Sequence, residues 1–241
     1  MKSYIFPSSI ETARALILHL VKQMLDEPDR TFYMAFSGGS TPALMFDLWA
    51  NEYSDITPWE RLKIFWVDER CVPPANSDSN FGMMRSLLLG VVPRISYANV
   101  FRIQGEDQPG KEALRYSKLV MQEVPRSNDL PVFDVVLLGA GTDGHTSSIF
   151  PGQEDLLSTK SIYVANVNPN NGQRRIALTG LPILNARSII FLITGKAKAD
   201  VVWDICNSGD TGPAAYIAHH GKQVELFMDK TAAEKITEKG K

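Results

Sequence analysis

FYMAFSGGSTPALMFDLW, residues 32–49, decides the fold. Phe32 to Phe36 is a short apolar run of strand length, and Ser37-Gly38-Gly39-Ser40-Thr41 is a glycine turn. Pro42 suits the first turn of a helix whose apolar body runs from Ala43 to Trp49. The reading is therefore strand, tight turn, helix. The same alternation extends outward on both sides. Upstream, Ser8 and Ser9 are candidate caps for a helix carrying Ile10, Ala13, Ile17, Leu20, Val21 and Met24 at helical spacing. Downstream come a strand at 62–67 (LKIFWV), helices at 81–89 and 110–124, and a strand at 133–138 (FDVVLL). Strands at 175–180 (RIALTG) and 188–194 (SIIFLIT), a helix at 196–206 and a strand at 223–228 (QVELFM) complete the series. Apolar strands without polar alternation, separated by helices, predict an α/β fold with a mostly parallel sheet flanked by helices on both faces. Such sheets bind ligands beyond the carboxyl ends of their strands.

A chain of 241 residues, 44% hydrophobic and 22% charged, is expected to form one domain spanning 1–241, with the charged segment 234–241 fraying. A net charge of −2 gives no global attraction to nucleic acid or to an anionic membrane. Cys71 and Cys206 fit no redox or metal spacing, which suits a reducing compartment. Pro7, Glu11 and Arg14 interrupt any signal-peptide core, and no apolar run approaches the roughly 18 residues of a membrane span. The expected location is the cytoplasm.

Three loops follow predicted strands and carry the polar chemistry. Ser37 to Thr41 lets backbone N–H groups of Gly38 and Gly39 and the hydroxyls of Ser40 and Thr41 face an anion at a helix N-terminus. An ordinary strand-to-helix turn capped by a Ser or Thr side chain is an equal reading. The Walker lysine is missing, which disfavours nucleoside triphosphates. Asp68-Glu69-Arg70 places three charges at the end of a buried strand, a costly arrangement unless they are paired or functional. An internal salt bridge is the better reading for Glu69, and a site role for Asp68 and Arg70. Gly139 to Gly144 satisfies the spacing G-x-G-x-x-G, yet Pro151 arrives too soon for a sustained helix and Asp143 would repel a pyrophosphate. These glycines are read as bending the chain so that Asp143 and His145 face a cleft. His219 and His220 have no such setting, and no His, Cys and carboxylate set shows metal spacing. Neither a metal nor a cofactor is expected.

Together these residues make an anion cradle, an Asp, an Arg and a His with an acidic neighbour, a set suited to hydrolysing an ester in a phosphorylated substrate. The sequence resembles the 6-phosphogluconolactonase family, related to glucosamine-6-phosphate deaminases. The resemblance rests on SGGSTP at 37–42, VDERCVPPANSDSNFGMMR at 67–85 and LLGAGTDGHTSSIFPG at 137–152. RIALTG at 175–180, TGKAKA at 194–199 and LFMDKTAA at 226–233 extend it along the chain. It implies a Rossmann-like fold of the glucosamine-6-phosphate deaminase and ribose-5-phosphate isomerase group. It also implies hydrolysis of 6-phospho-D-glucono-1,5-lactone in the pentose phosphate pathway, without a cofactor, by a monomer or homodimer. The deaminases typically continue Asp-Gly-His to a catalytic Glu that falls at Phe150 here, and show a Tyr where this chain has Arg70. Both departures favour the lactonase. Lactonases often carry Lys-Pro-Pro before their Arg-Ile-Thr-Leu run; here Asn168-Pro169-Asn170 stands in that segment, and Arg174 is put forward as the substitute cation.

On this reading His145 takes a proton from the attacking water, a role that fits a group ordinarily titrating near pH 6.5. Asp143 orients the imidazole or stabilises its charged form. Gly38, Gly39, Ser40 and Thr41 hold the phosphate with Arg70, Arg175, Arg174 and Lys198 as cationic partners, Arg70 being equally open to an oxyanion role. Lys198 also fits an exposed helix face. Deamination, or sugar-phosphate sensing without turnover, are the alternatives. The whole scheme requires His145 and the 37–41 turn to open onto one cleft.

Overall fold

The computed structural model describes residues 1–207 and 209–237. In chain order the main elements are β1 (Lys2–Phe6), α1 (Ser9–Asp26), β2 (Phe32–Phe36), α2 (Ser40–Glu52), β3 (Leu62–Trp66), β4 (Asp68–Arg70) and α3 (Asn80–Met84). They continue with α4 (Pro109–Glu123), the hairpin β5 (Arg126–Ser127) and β6 (Leu130–Pro131), β7 (Val135–Leu138), β8 (Tyr163–Val167) and β9 (Arg174–Leu178). The last are α5 (Gly180–Leu184), β10 (Ser188–Ile193), α6 (Ala199–Asn207), α7 (Pro213–His220), β11 (Val224–Asp229) and α8 (Glu234–Thr237).

Six strands form one sheet in the order β1-β11-β10-β7-β2-β3, and every neighbouring pair is parallel. The connection from β2 runs one way, to β3, whereas β7 lies on the other side of β2 and leads on to β10 and β11. The strand order therefore reverses between β2 and β7, and the loops leaving those two strands diverge to open a crevice at their carboxyl ends. Burial explains the continuous apolar runs: Val135 to Leu138 and Ile189 to Phe191 are wholly inaccessible, as expected of strands covered on both faces. On one side of the sheet α1 packs against α2 and β11. Beside β2, Phe36 meets Phe46 edge-on at 5.8 Å, and buried Trp49 donates its indole N–H to Thr57 Oγ1 at 2.9 Å.

Several elements differ from the sequence expectation, each for a local reason. β1 escapes the apolar-run criterion because it is an edge strand with alternating partial exposure. The helix expected at 81–89 is the short α3, capped by Ser79, followed by a π-helical turn over Arg85–Leu89. RIALTG belongs to no parallel strand. β9 is the centre of a separate antiparallel sheet, β4-β9-β8, and α4 packs on β8 and β9. Ile176, Ala177 and Leu178 are fully buried, and a strand buried on both faces reads like a parallel strand whatever its pairing. Within the segment expected to fray, Glu234–Thr237 form α8 against α6; positions 238–241 lie outside the described residues. α1 begins as expected, with Ser8 Oγ accepting from the Glu11 N–H.

Candidate active site

One cleft of about 260 Å³ lies at the strand-order reversal, lined by Ser37 to Pro42 after β2 and by Gly139 to Gly141 and His145 after β7. Asp68, Arg70, Asn80, Ser147, Arg175, Thr194 and Lys198 add further polar groups to its wall. Its size is near the lower end of small-ligand sites, roughly 300 Å³.

The β2 turn is not capped by a side chain. Gly39 is itself the N-cap of α2, held at φ 107, and no side chain accepts from the first turn. A positive φ of that size is strained for residues with a Cβ, so glycine is required. The first-turn N–H groups of this 13-residue helix thus stay available at its positive end. The reading as an ordinary Ser- or Thr-capped turn is excluded. Thr41 Oγ1 lies 3.1 Å from Thr194 Oγ1, which ties the cradle to the end of β10.

The loop after β7 closes on itself instead of starting a helix. The Gly141 N–H donates to the His145 carbonyl at 2.8 Å and the Gly144 N–H to the Gly141 carbonyl at 3.0 Å. This folds Asp143 back onto His145: Asp143 Oδ1 lies 2.6 Å from Nδ1 of the imidazole and accepts the His145 N–H at 3.2 Å. Asn170 Nδ2 donates to the other carboxylate oxygen at 3.1 Å. Burial pushes the Asp143 carboxyl up, but the charge and hydrogen bonds of His145, with the Asn170 bond, outweigh it and hold it below its ordinary value. An ionised carboxylate only accepts hydrogen bonds, so Nδ1 carries the imidazole proton and Nε2 presents its lone pair. One face of the imidazole packs at 4.7 Å against the buried ring of Phe150, and about a third of the side chain remains open to solvent.

The charged residues of the β3–β4 segment divide into different roles. Contrary to expectation, Glu69 makes no salt bridge among the described residues. It is 2% exposed, and its carboxylate accepts from the N–H groups of Arg70, Asn80 and Phe81 and from the Ser79 hydroxyl. Burial pushes its carboxyl up, and the three backbone bonds offset this only in part. Its work is to shape the 79–81 turn. Asp68 accepts from Ser148 Oγ at 2.6 Å, and its Oδ2 lies 3.9 Å from Arg175 Nη1. Arg70 Nη1 donates to the Asp78 carbonyl at 2.6 Å. Burial pulls the Arg175 guanidinium below its ordinary value against the charge of Asp68. Lys198 is half-buried rather than on an open helix face, donating to the Ala140 carbonyl at 2.7 Å; burial lowers its amine while Asp143 raises it. Arg174 does not line the cleft. Alternation along β9 sends it to the opposite face from Arg175, exposed and near Cys71.

Ser37 Oγ, Arg70 Nε and Arg175 Nε are buried without a hydrogen-bond partner, and all three residues line this cleft. Leaving a buried donor unpaired costs about 1–3 kcal/mol each, and each of these three groups is able to donate to an oxygen acceptor. Asn80, Ser148 and Asn170 were assigned no role in the site from the sequence. Asn80 is 2% exposed, donates to the Asp68 carbonyl at 2.8 Å and lies so close to Gly38 that a Cβ there would stand 1.8 Å from Oδ1. The sequence signal for Asn80 and Ser148 was that they fall inside the 67–85 and 137–152 motifs, and for Asn170 that it stands in the segment before the Arg174–Leu178 run. Among the described residues, no group of three or more His, Cys, Asp or Glu stands together as a metal-ligand set.

Residues 8–226 match the family model described as glucosamine-6-phosphate isomerases/6-phosphogluconolactonase. A 6-phosphogluconolactonase of Treponema pallidum is 40% identical over 210 residues, covering 86% of this chain and 85% of that protein. The solved structure of 6-phosphogluconolactonase from Trypanosoma brucei superposes with a TM-score of 0.86 at 29% identity, covering 98% of both chains. A monomeric glucosamine-6-phosphate deaminase superposes at TM-score 0.80 with 19% identity, over 97% of this chain and 99% of that one, a likeness of fold alone.

Proposed function

The chain belongs to the glucosamine-6-phosphate isomerase/6-phosphogluconolactonase family, and from that premise we propose that it hydrolyses 6-phospho-D-glucono-1,5-lactone to 6-phospho-D-gluconate, with His145 as general base. The observation that carries this reading is the shared cleft. An imidazole with its proton held on Nδ1 and an uncapped helix N-terminus open onto the same space, between three buried donors that lack partners.

In the reaction, the phosphate rests on the N–H groups and hydroxyls of Gly38, Gly39, Ser40 and Thr41, at the positive end of α2. Arg175, Arg70 and Lys198 supply cationic donors, and the arginines add planar bidentate geometry. Water attacks the lactone carbonyl as Nε2 of His145 takes its proton, while Asp143 stabilises the imidazolium that forms. The tetrahedral intermediate then collapses, the ring C–O bond breaks, and the imidazolium returns the proton to the departing ring oxygen. Asp68, engaged with Ser148 and facing Arg175, acts by holding that guanidinium in place rather than by touching water. The enzyme works as one domain in the cytoplasm, as monomer or homodimer, and no helix in the described residues is long and apolar enough to cross a membrane.

Deamination of glucosamine 6-phosphate is disfavoured by the buried phenyl ring of Phe150 beside His145, where that chemistry calls for a carboxylate. The test measures lactone hydrolysis above its spontaneous rate and ammonia release from glucosamine 6-phosphate with one preparation, using His145→Ala as control. Hydrolysis that depends on His145, without ammonia, is expected. Ammonia release, or hydrolysis indifferent to His145, overturns the proposal.

A further inference from the structure

The segment between β8 and β9 is a tight, self-bonded strap. The Asn168 N–H donates to the Gln173 carbonyl at 3.0 Å and the Gly172 N–H to the Asn168 carbonyl at 2.8 Å. Asn168, only 9% exposed, also accepts the Asn170 N–H on its side chain at 2.9 Å. Two side chains leave this frame toward two different loops. Asn170 Nδ2 reaches Asp143 Oδ2 at 3.1 Å, while Gln173 Nε2 reaches Asp78 Oδ2 at 2.9 Å, and Asp78 is the residue whose carbonyl receives Arg70. The strap thus touches the support of the imidazole on one side and the support of an arginine on the other.

The Asp143 carboxylate has one oxygen committed to His145, through both Nδ1 and the backbone N–H. With that oxygen alone fixed, the carboxylate retains freedom to twist about its Cβ–Cγ bond. A second donor on the other oxygen removes that freedom and keeps the carboxylate aligned with the imidazole. We propose that Asn170 is a positioning residue for the reaction: by donating to Asp143 Oδ2 from the β8–β9 strap, it fixes the carboxylate that orients His145. The inference rests on the reading of His145 as base. It assigns a neutral donor to a segment in which the resemblance led one to look for a cation.

The test compares purified Asn170→Ala, Asn170→Asp and Asn170→Gln with the parent enzyme, alone and combined with Asp143→Ala. Asn170 is exposed and on a loop, so melting temperatures should be unchanged. Loss of one hydrogen bond to a charged group predicts about a tenfold fall in kcat for Asn170→Ala, with KM within about twofold. Asn170→Asp, which replaces the donor with an acceptor of the same shape, should fall at least as far, and Asn170→Gln should recover part of the loss. In the Asp143→Ala background, Asn170→Ala should add nothing, because the group it acts through is gone. Wild-type kcat in Asn170→Ala, or a full additional loss on top of Asp143→Ala, overturns this inference alone. Wild-type kcat in Asp143→Ala overturns the functional reading itself.

Discussion

A Cβ on Gly141 would lie 2.1 Å from His145 Nδ1 and 2.3 Å from Asp143 Oδ1. The glycine is needed there because the imidazole and carboxylate pack directly over its Cα. Both obstructing groups are ends of side chains, so Gly141→Ala can be accommodated by swinging them away. That movement separates the pair. Gly141→Ala should therefore lower kcat by about 10²-fold or more, the low end of what general-base catalysis contributes, while shifting the melting temperature little. A variant with parental kcat would show that the observed pairing is dispensable.

His145→Ala should reduce kcat by about 10²- to 10⁴-fold without unfolding the protein, since the ring lies at the cleft with about a third of the side chain open to solvent. Asp143 is held below its ordinary value and is therefore an anion at neutral pH. Asp143→Asn removes the charge that stabilises the imidazolium formed in the reaction, so kcat should fall by about 10²-fold or more while KM changes little. A variant with parental kcat would show that the carboxylate is not part of the machinery.

The legible part of the fold was the set of strands buried on both faces. FYMAF, LKIFW and VVLL sit in the parallel sheet, and the strand-order reversal between β2 and β7 puts their loops in one cleft. What escaped was decided by pairing partners rather than by local pattern. Ile176–Leu178 is an apolar run like those of the parallel strands, yet β9 pairs antiparallel with the segment carrying Asp68 and Arg70, and this brings Arg175 opposite Arg70. Neighbourhood across a sheet has no signature in either strand. The role of Glu69 was hidden for a similar reason: three of its four donors are backbone N–H groups, which any sequence supplies. Asn170 likewise reaches its acceptor across 27 positions.

Arg70 and Arg175 face each other across the β4–β9 pairing, and each has a buried Nε without a partner. Kinetics separates their tasks. A phosphate contact made equally in ground and transition states raises KM and leaves kcat alone, whereas an oxyanion contact lowers kcat. Arg175 is the more deeply buried and is held by Asp68, so Arg175→Lys should already raise KM by about tenfold, a lysine lacking the fork that makes bidentate contacts. Arg70→Ala should likewise raise KM with kcat within about threefold, on the order of one lost charged contact. A collapse of kcat at constant KM would instead assign Arg70 to the developing oxyanion.

Glu69 offers a stability test independent of turnover. Its Oε1 accepts from the Arg70 and Asn80 N–H groups, and its Oε2 from the Phe81 N–H and the Ser79 hydroxyl. Glu69→Gln turns one of these oxygens into an amide facing donors. The Ser79 hydroxyl can rotate to accept, but a backbone N–H cannot, so one buried donor is stranded at a cost of about 1–3 kcal/mol. The pH dependence follows from the burial-raised carboxyl. Between the ordinary carboxyl value and the raised folded value, the native state holds a proton that the unfolded chain has released. Wild-type stability therefore rises as pH falls through that window, while the glutamine variant lacks the effect. Urea unfolding at neutral pH should show Glu69→Gln less stable, and the gap should widen toward mildly acidic pH. A gap that closes on acidification would mean that the backbone donors lower the carboxyl more than burial raises it, so that Glu69 stabilises the 79–81 turn as an ordinary anion.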